Sequence, residues 1–375
     1  MTPVFLCGPM GLPGLIRDIC GPMAQALAPV PAEVQGYRLS SREDCWFPML
    51  LAAQGGRVAG ILLSQVPPDV MERLTYFAAG LQHFPTATDV VVEGRIIKAQ
   101  VFLAGRTDTG FDAAWDAQAW QARWEPLARD AVREMMGHQG RFSAAELPQR
   151  LPMILSRAAA RQAAAMGAPR AVRSDMSHAM VEDISETTCH AGFFLTREHR
   201  LRHPRFDGTM STPVTREVFV ATDAAIVLPY DARRDRVLLV EQFRMGPYGR
   251  GDQYPWMLEP VAGRVDPGET PEQTARRECV EEAGLILHGL EHIASYYCSP
   301  GCSTEYFHTY LGLCDLPDKS RGKGGLDSED EDIRTHVLNF DDALRLCSSG
   351  EADNGPLILS LIWLKAERER LRAVA

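Results

Sequence analysis

An α+β fold divided into more than one domain is what this sequence predicts, and three observations predict it. The chain has 375 residues, which at roughly 100–200 residues per domain means about two domains. Short apolar runs alternate with turn signals through residues 1–110 and again from about 180 onward, the rhythm of short strands. Between these stretches, residues 112–168 place apolar side chains at helical intervals, so helices separate two strand-rich regions. Hydrophobic residues at 45% and charged residues at 23% are ordinary for a packed chain, which excludes whole-chain disorder and coiled coil.

Taken in order, the first strand signals are 4–6, then 57–63 after Gly55-Gly56, then 96–103 after Gly94. Helical spacing follows in Trp115, Trp120, Trp124, Leu127 and Val132, with an Ala/Arg stretch at 157–166 closed by Gly167 and Pro169. This predicts a helical connector over 111–178, its tryptophans used for packing rather than as a ligand box. Beyond it, 224–229 and 236–240 flank the turn-rich Tyr230-Asp231-Ala232-Arg233-Arg234-Asp235 and predict a hairpin. A helix, further strands and a C-terminal helix over about 355–372 complete the chain. Residues 320–332 are glycine-rich, then strongly acidic, and read as a mobile surface loop. The expected divisions are therefore 1–110, 111–178 and 179–375.

A net charge of −10 argues against binding nucleic acid through a broad basic surface. An anionic small molecule is still compatible with it, provided a metal ion or local arginines neutralise the ligand. No apolar run approaches the roughly 18 residues of a membrane span. The first fourteen residues have no basic start and are broken early by Pro and Gly, so no signal peptide is expected. Nine cysteines without paired spacing do not make a disulfide framework and point to a reducing cytoplasm. Cys298 and Cys302 are four apart without a second pair at zinc spacing, so they read as buried or idle thiols. Pro204 argues against a metal-binding helix at His199 and His203.

The most informative stretch is Gly263-Arg264-Val265-Asp266-Pro267-Gly268-Glu269 followed, seven residues on, by Arg277-Glu278-Cys279-Val280-Glu281-Glu282-Ala283-Gly284-Leu285. Thr270 can cap a helix, Pro271 suits its first position, Gln273 completes a capping box, and Gly284 supplies the stop. Within that helix Glu278, Glu281 and Glu282 fall at i, i+3 and i+4, which gathers three carboxylates on one face. Such crowding is unfavourable at neutral pH unless a cation neutralises it. Clustered carboxylate oxygens suit a hard divalent ion, Mg²⁺ or alternatively Mn²⁺, that also binds substrate phosphates. A solvated acidic face explains any single Glu pair, but not the coincidence of glycines, cap and Arg277.

This segment resembles the Nudix box, G-x5-E-x7-R-E-U-x-E-E-x-G-U, at every fixed position, with Cys279 at a site usually apolar. The resemblance implies an α/β/α sandwich with the box as loop–helix–loop, and metal held by Glu278, Glu282 and the backbone carbonyl of Ala262, with Glu281 contributing through water. It extends over roughly 180–372 and is similar to the bacterial ADP-ribose pyrophosphatase branch. It is carried by Gly192-Phe193-Phe194, 206–211, Arg216-Glu217, Val240 to Arg244, 258–263, Ser299-Pro300-Gly301 with Glu305, and Glu329-Asp330-Glu331. Pro300, fifteen residues past Leu285, stands where ADP-ribose-cleaving members carry a proline.

The resemblance implies that Arg244 faces a phosphate and that Phe193 or Phe194 stacks on adenine, across a homodimer interface. Arg216, Glu217, Arg264, Ser299, Pro300, Gly301 and Glu305 are the further expected substrate contacts. The acidic loop nominates Glu329 as catalytic base and Glu331 as metal ligand, with the two roles open to exchange; Glu282 is the other catalytic residue. Ala221 departs from a basic residue found in some relatives. The implied reaction is Mg²⁺-dependent hydrolysis of ADP-ribose to AMP and ribose 5-phosphate. The alternatives are another nucleotide sugar such as GDP-mannose, or a nucleotide-sensing protein with a vestigial site, against which the intact box argues. No nucleic acid or membrane partner is expected.

The first region resembles the γ-glutamylcyclotransferase-like fold through Cys7-Gly8-Pro9-Met10, Gly36-Tyr37-Arg38-Leu39, Gly60-Ile61-Leu62 and Leu74-Thr75-Tyr76-Phe77. Active members carry Tyr-Gly-Ser/Thr-Leu in the first loop and a Glu after an aromatic, where this chain has Ala78. A smaller β-rich domain without cyclotransferase catalysis is therefore expected. Fusions of this kind resemble proteins linked to tellurite resistance.

Overall fold

Residues 2–105, 110–167, 169–316, 318, 323–324 and 332–375 are described by the computed structural model. The chain divides into two units, Met1–Ala168 and Pro169–Ala375. Among the described residues, no helix is long and apolar enough to cross a membrane.

The first unit comprises β1 (Thr2–Cys7), α1 (Pro13–Cys20), β2 (Pro29–Ser41), β3 (Met49–Val66), α2 (Pro68–Gly80), β4 (His83–Val92), β5 (Arg95–Ala104), β6 (Ala113–Ala114), α3 (Ala117–Gly137) and α4 (Leu147–Ala165). Strand order is β3-β1-β5-β4-β2, and β2 pairs back onto β3, so five strands close a ring. Closure leaves no free sheet edge between them. The period-2 alternation of strands then sorts side chains: Phe5 joins Val34, Leu62, Val90 and Val101 inside, while Val4 and Leu6 face the helices. Gly55-Gly56 does not begin a new strand as its sequence suggested. It lies within β3 at a register shift opposite Gln35 and Tyr37, where a side chain on Gly56 would overlap the Tyr37 carbonyl.

The helices of 111–168 are not a connector. Trp120, Trp124, Val132, Leu147 and Ile154 share one core with Leu15, Leu74 and Phe77, so α3 and α4 complete the first unit. The helical stretch expected to close at Gly167 and Pro169 ends at Ala165. Ala78 lies in α2 and is fully buried in that apolar core.

The second unit comprises β7 (Glu182–Ala191), β8 (Leu195–Arg202), β9 (Val214–Val220), β10 (Asp223–Asp231), β11 (Arg236–Phe243), α5 (Met245–Arg250), β12 (Trp256–Glu259), β13 (Val261–Arg264), α6 (Pro271–Ala283), β14 (Gly289–Tyr297), β15 (Tyr306–Leu313), β16 (Lys323–Gly324), β17 (Ile333–Asn339), α7 (Phe340–Ser349) and α8 (Gly355–Ala373). The expected hairpin forms between β10 and β11, Tyr230 opposite Val237. A mixed sheet runs β14-β15-β10-β11-β17-β16, with β12 on β11 and β13 on β10.

Both faces of its central strands are buried, which is why β10 and β11 read as near-continuous apolar runs. Ala225, Val227, Leu238 and Val240 face α6 with Ala275, Cys279 and Ala283. Leu228, Tyr230, Val237 and Leu239 face α7 and α8 with Phe340, Leu357, Leu361 and Leu364. This is the expected α/β/α sandwich. A separate sheet, β7-β8-β9, keeps most of β7 exposed. Of the expected acidic loop, residues 320–322 and 325–331 lie outside the described residues.

Candidate active site

The site is built from α6 and the strand before it. Thr270 accepts from the Gln273 backbone at 3.3 Å and the Gln273 side chain accepts from the Thr270 backbone at 2.7 Å, so the capping box forms as the sequence predicts. At the other end Gly284 is left-handed (φ 62°) and Leu285 N donates to Cys279 O at 2.9 Å, closing the helix as glycine allows. Cys279, the one oddity of the box, is fully buried; burial pushes its thiol well above the ordinary range, with neighbouring acidic groups adding to the rise. It acts there as a small apolar residue.

The helical face then does what its spacing requires, through a residue the sequence reading had not assigned a role. Arg277 Nε donates to Glu269 Oε1 at 3.0 Å, Nη1 to Glu278 Oε1 at 2.7 Å and to Glu281 Oε2 at 2.9 Å, and Nη2 to Glu269 Oε2 at 3.1 Å. Nη2 also donates to the Arg264 carbonyl at 3.2 Å, tying helix to loop. Burial alone would lower the Arg277 pKa, but hydrogen bonds and charge from Glu269, Glu278 and Glu281 raise it overall. In turn, burial would raise the Glu269 carboxyl, yet bonds from Arg277 and Thr274 hold it below the ordinary range. Fixed box positions were the only available signal for Arg277 and Glu269, and spacing alone does not say that one guanidinium fork spans three carboxylates.

Glu282, 2% exposed, accepts from the Ala262 backbone N–H at 3.4 Å. Ala262 and Gly263 sit on β13, paired with Ile226 and Ala225 of β10. A Cβ added to Gly263 would overlap the Glu278 carboxyl group, so the glycine is what lets that carboxylate lie against the strand. Glu278 and Glu282 thus converge on one short strand, with oxygen donors throughout. That chemistry fits a hard divalent cation: two carboxylates, with the Ala262 carbonyl of the same strand as a third donor. Among the described residues no set of three His, Cys, Asp or Glu side chains is arranged to hold a metal; Glu281 is turned to Arg277. Glu329 and Glu331 lie outside the described residues.

The expected substrate contacts gather mostly at one end of β10. Asp223 begins that strand opposite Tyr306 of β15, and Ala224 is opposite Arg264 of β13. The β14–β15 loop with Ser299, Pro300, Gly301 and Glu305 therefore shares this end with the exit of β13. The loop is pinned to β9: Phe219 N donates to Cys302 O at 2.8 Å, Thr304 N to Phe219 O at 3.0 Å, and Ala221 N to Thr304 Oγ1 at 2.8 Å. Cys298 donates to Glu305 at 2.9 Å, and burial followed by that carboxylate pushes its thiol up to about 12. Phe193 and Phe194, in the β7–β8 turn, are exposed and meet edge to face at 5.0 Å, and Phe194 packs on Phe219 at 5.0 Å.

Arg216 and Glu217 are exposed on β9, opposite His199 and Glu198. Arg264 Nε stands 3.8 Å from Asp266. Arg244, expected to face a phosphate, has its Nε held by Glu259 of β12 at 2.7 Å; burial raises the Glu259 carboxyl against the lowering effect of Arg244.

Fold and site together define an α/β sandwich in which a glycine-bearing strand lies against a capped acidic helix. The chain belongs to the Nudix family. A family model described as NUDIX domain matches residues 220–360. ADP-ribose pyrophosphatase of Escherichia coli (strain K12) is 40% identical over 192 residues, covering 51% of this chain and 91% of that protein. GDP-mannose pyrophosphatase of Escherichia coli O1:K1 / APEC is 33% identical over 150 residues, covering 40% and 77%. The crystal structure of an ADP compounds hydrolase aligns at 17% identity with a TM-score of 0.39, covering 52% of this chain and 98% of that one.

Proposed function

We propose that the second unit hydrolyses the pyrophosphate of ADP-ribose to AMP and ribose 5-phosphate, dependent on Mg²⁺. The observation that carries this is the complete acidic helix with its glycine strand, in a chain 40% identical over 192 residues to an ADP-ribose pyrophosphatase. When bound, a divalent cation on Glu278, Glu282 and the Ala262 carbonyl would neutralise the pyrophosphate and polarise the attacking water. Arg277 fixes Glu278, and the Gly263 strand leaves room for it. Arg244, aligned by Glu259, directs hydrogen bonds at a phosphate oxygen. Phe193 or Phe194 stacks on the adenine; Arg216, Glu217, Arg264, Ser299, Pro300, Gly301 and Glu305 surround the rest. Glu329 takes the proton of the water, with Glu331 as its rival.

A panel of ADP-ribose, GDP-mannose and related compounds, assayed with Mg²⁺ and with excess chelator, tests the reading. Fastest turnover of ADP-ribose, lost in chelator, is expected; equal rates in chelator would sink the metal-dependent mechanism. Comparing Glu329→Gln with Glu331→Gln identifies the base, whose loss should slow turnover by about 10²–10⁴-fold.

The second unit works as a homodimer in this reading, supported by the exposure of β7, Phe193 and Phe194. A fully active monomer in sedimentation would refute the shared site. The nine free cysteines support a reducing cytoplasm as its location, and the first unit is taken as a cyclotransferase-like domain without that catalysis.

A further inference from the structure

Four polar side chains outside the proposed mechanism form a chain across β10, β15 and β14. Asp223 Oδ2 lies 3.5 Å from His308 Nε2, His308 Nδ1 lies 3.0 Å from Ser295 Oγ, and Ser295 Oγ lies 2.9 Å from His292 Nε2. Asp223, Ser295 and His308 are half-buried, and His292 is exposed. A carboxylate only accepts, so His308 Nε2 carries a hydrogen. In the neutral ring Nδ1 then accepts from the Ser295 hydroxyl, and Ser295 Oγ accepts from His292 Nε2–H. Each link has one donor and one acceptor, so the side chains hold one another in a single arrangement.

That arrangement depends on a bulge. His292 is opposite Tyr310, whereas Ser295, three residues on, is opposite His308, with a register shift between His292 and Ala294. Side chains three apart on a regular strand point to opposite faces. The extra residue turns Ser295 to the face that carries His292 and His308, and bulges that re-aim a side chain are over-represented next to active sites.

Asp223 is where the chain meets the expected substrate contacts. Its backbone carbonyl accepts from Val265 N at 3.0 Å, directly after Arg264. Its carboxylate reaches His308, which lies three residues past Glu305, and Ser295 lies four residues before Ser299. Both strands that carry the 298–305 loop are therefore tied by side chains to the residue that holds the exit of β13. Backbone pairing joins these strands two at a time, and the side-chain links span all three at their loop-bearing end.

We propose that His308 is a positioning residue of the pyrophosphatase site: with Asp223 and Ser295 it fixes the 298–305 loop against the Arg264 end of β13 and so sets how tightly the substrate is held. This role rests on the pyrophosphatase reading of the second unit. None of the printed links reaches Glu278 or Glu282, so breaking them weakens the hold on substrate and leaves the chemical step alone.

Steady-state kinetics with ADP-ribose and hydrogen exchange, both on the full chain, test it. His308→Leu should raise KM about tenfold with kcat within about twofold, as when binding common to ground and transition states is lost. Asp223→Asn keeps an acceptor for His308 Nε2 and should stay within about threefold of the wild type, whereas Asp223→Ala should match His308→Leu. In His308→Leu the amides of Cys302, Ser303 and Thr304 should exchange about tenfold faster while those of α6 and α8 are unchanged, because local opening is separate from global unfolding. If His308→Leu fails to fold, Ser295→Ala breaks the link to β14 and gives the same two readouts. A wild-type chain that hydrolyses no ADP-ribose removes the pyrophosphatase reading itself. With an active wild type, any of four outcomes overturns the role of His308 alone: an unchanged KM in the folded variant, a fall in kcat at constant KM, loop amides that exchange no faster, or Asp223→Asn as damaging as Asp223→Ala.

Discussion

Two ion-paired clusters, one in each unit, use charge in opposite ways. On α3 and α4 of the first unit, Arg157 Nε donates to Glu134 at 3.0 Å, with side chains 5% and 9% exposed. The same carboxylate has His138 Nε2 at 3.7 Å, and the pair joins two helices inside a core. On α6 of the second unit a single guanidinium serves Glu269, Glu278 and Glu281, with Asp266 at 3.8 Å and Glu282 buried close by. In the first cluster one carboxylate has its partners on α4 and at the end of α3. The surplus of negative charge on α6 is a structure that a further cation would complete, and this separates a site from a strut.

The largest effect that would break this contrast is catalytic. Glu282→Gln preserves size and removes a charge, so turnover of ADP-ribose should fall about 10²–10⁴-fold while the melting temperature stays level or rises. Near-normal turnover at saturating Mg²⁺ would remove Glu282 from the site. In the first unit the same kind of neutralisation should act on stability. Arg157→Met strands the Glu134 carboxylate and should cost about 3–5 kcal/mol in denaturant unfolding, with the pyrophosphatase rate per folded molecule unchanged. Unaltered unfolding would show that the pair is not a strut.

A finer test concerns Gly263. Its alanine variant pushes the flexible end of Glu278 rather than any backbone, so about a 10–100-fold loss of rate is expected with the fold intact. A normal rate would mean that Glu278 reaches its working position by another path. Smaller still is a pH effect. Arg277 and Thr274 hold the Glu269 carboxyl below its ordinary value against the effect of burial. That stabilisation is fully present above the unfolded pKa of about 4.3 and disappears as pH falls through the lower folded value. The melting temperature should therefore fall more steeply below about pH 4 in the wild type than in Glu269→Gln; parallel curves would show that the network adds nothing. The smallest effect expected is none: with Ala78 buried in an apolar core, the full chain should release no 5-oxoproline from γ-glutamyl amino acids above a heat-killed control.

The cap, stop and carboxylate spacing of α6 were legible because each depends on neighbours within a turn or two of helix. The hairpin at 230–235 and the C-terminal helix were legible for the same reason. The role of 111–168 was not. Helical spacing in Trp120, Trp124 and Val132 says that one face is buried, not against what, and the fold buries it on α1, α2 and the strands. Gly55-Gly56 misled because a glycine pair signals a turn and a bulge equally well, and only pairing with β2 decides between them.

By itself the sequence determined which residues are acidic, where α6 begins and ends, that 224–229 and 236–240 flank a turn, and that the box is intact. These follow from local propensity and periodicity. Tertiary structure alone decided that β13 runs beside the helix so that Gly263 admits Glu278, and that Arg277 spans carboxylates from loop and helix. It also brought the 299–305 loop to the end of β10 and closed five strands into a ring. The physical reason is range. A cap or a helical face is set by bonds a few residues long, whereas a side chain's partner across a sheet depends on register and closure, which the whole chain must settle together.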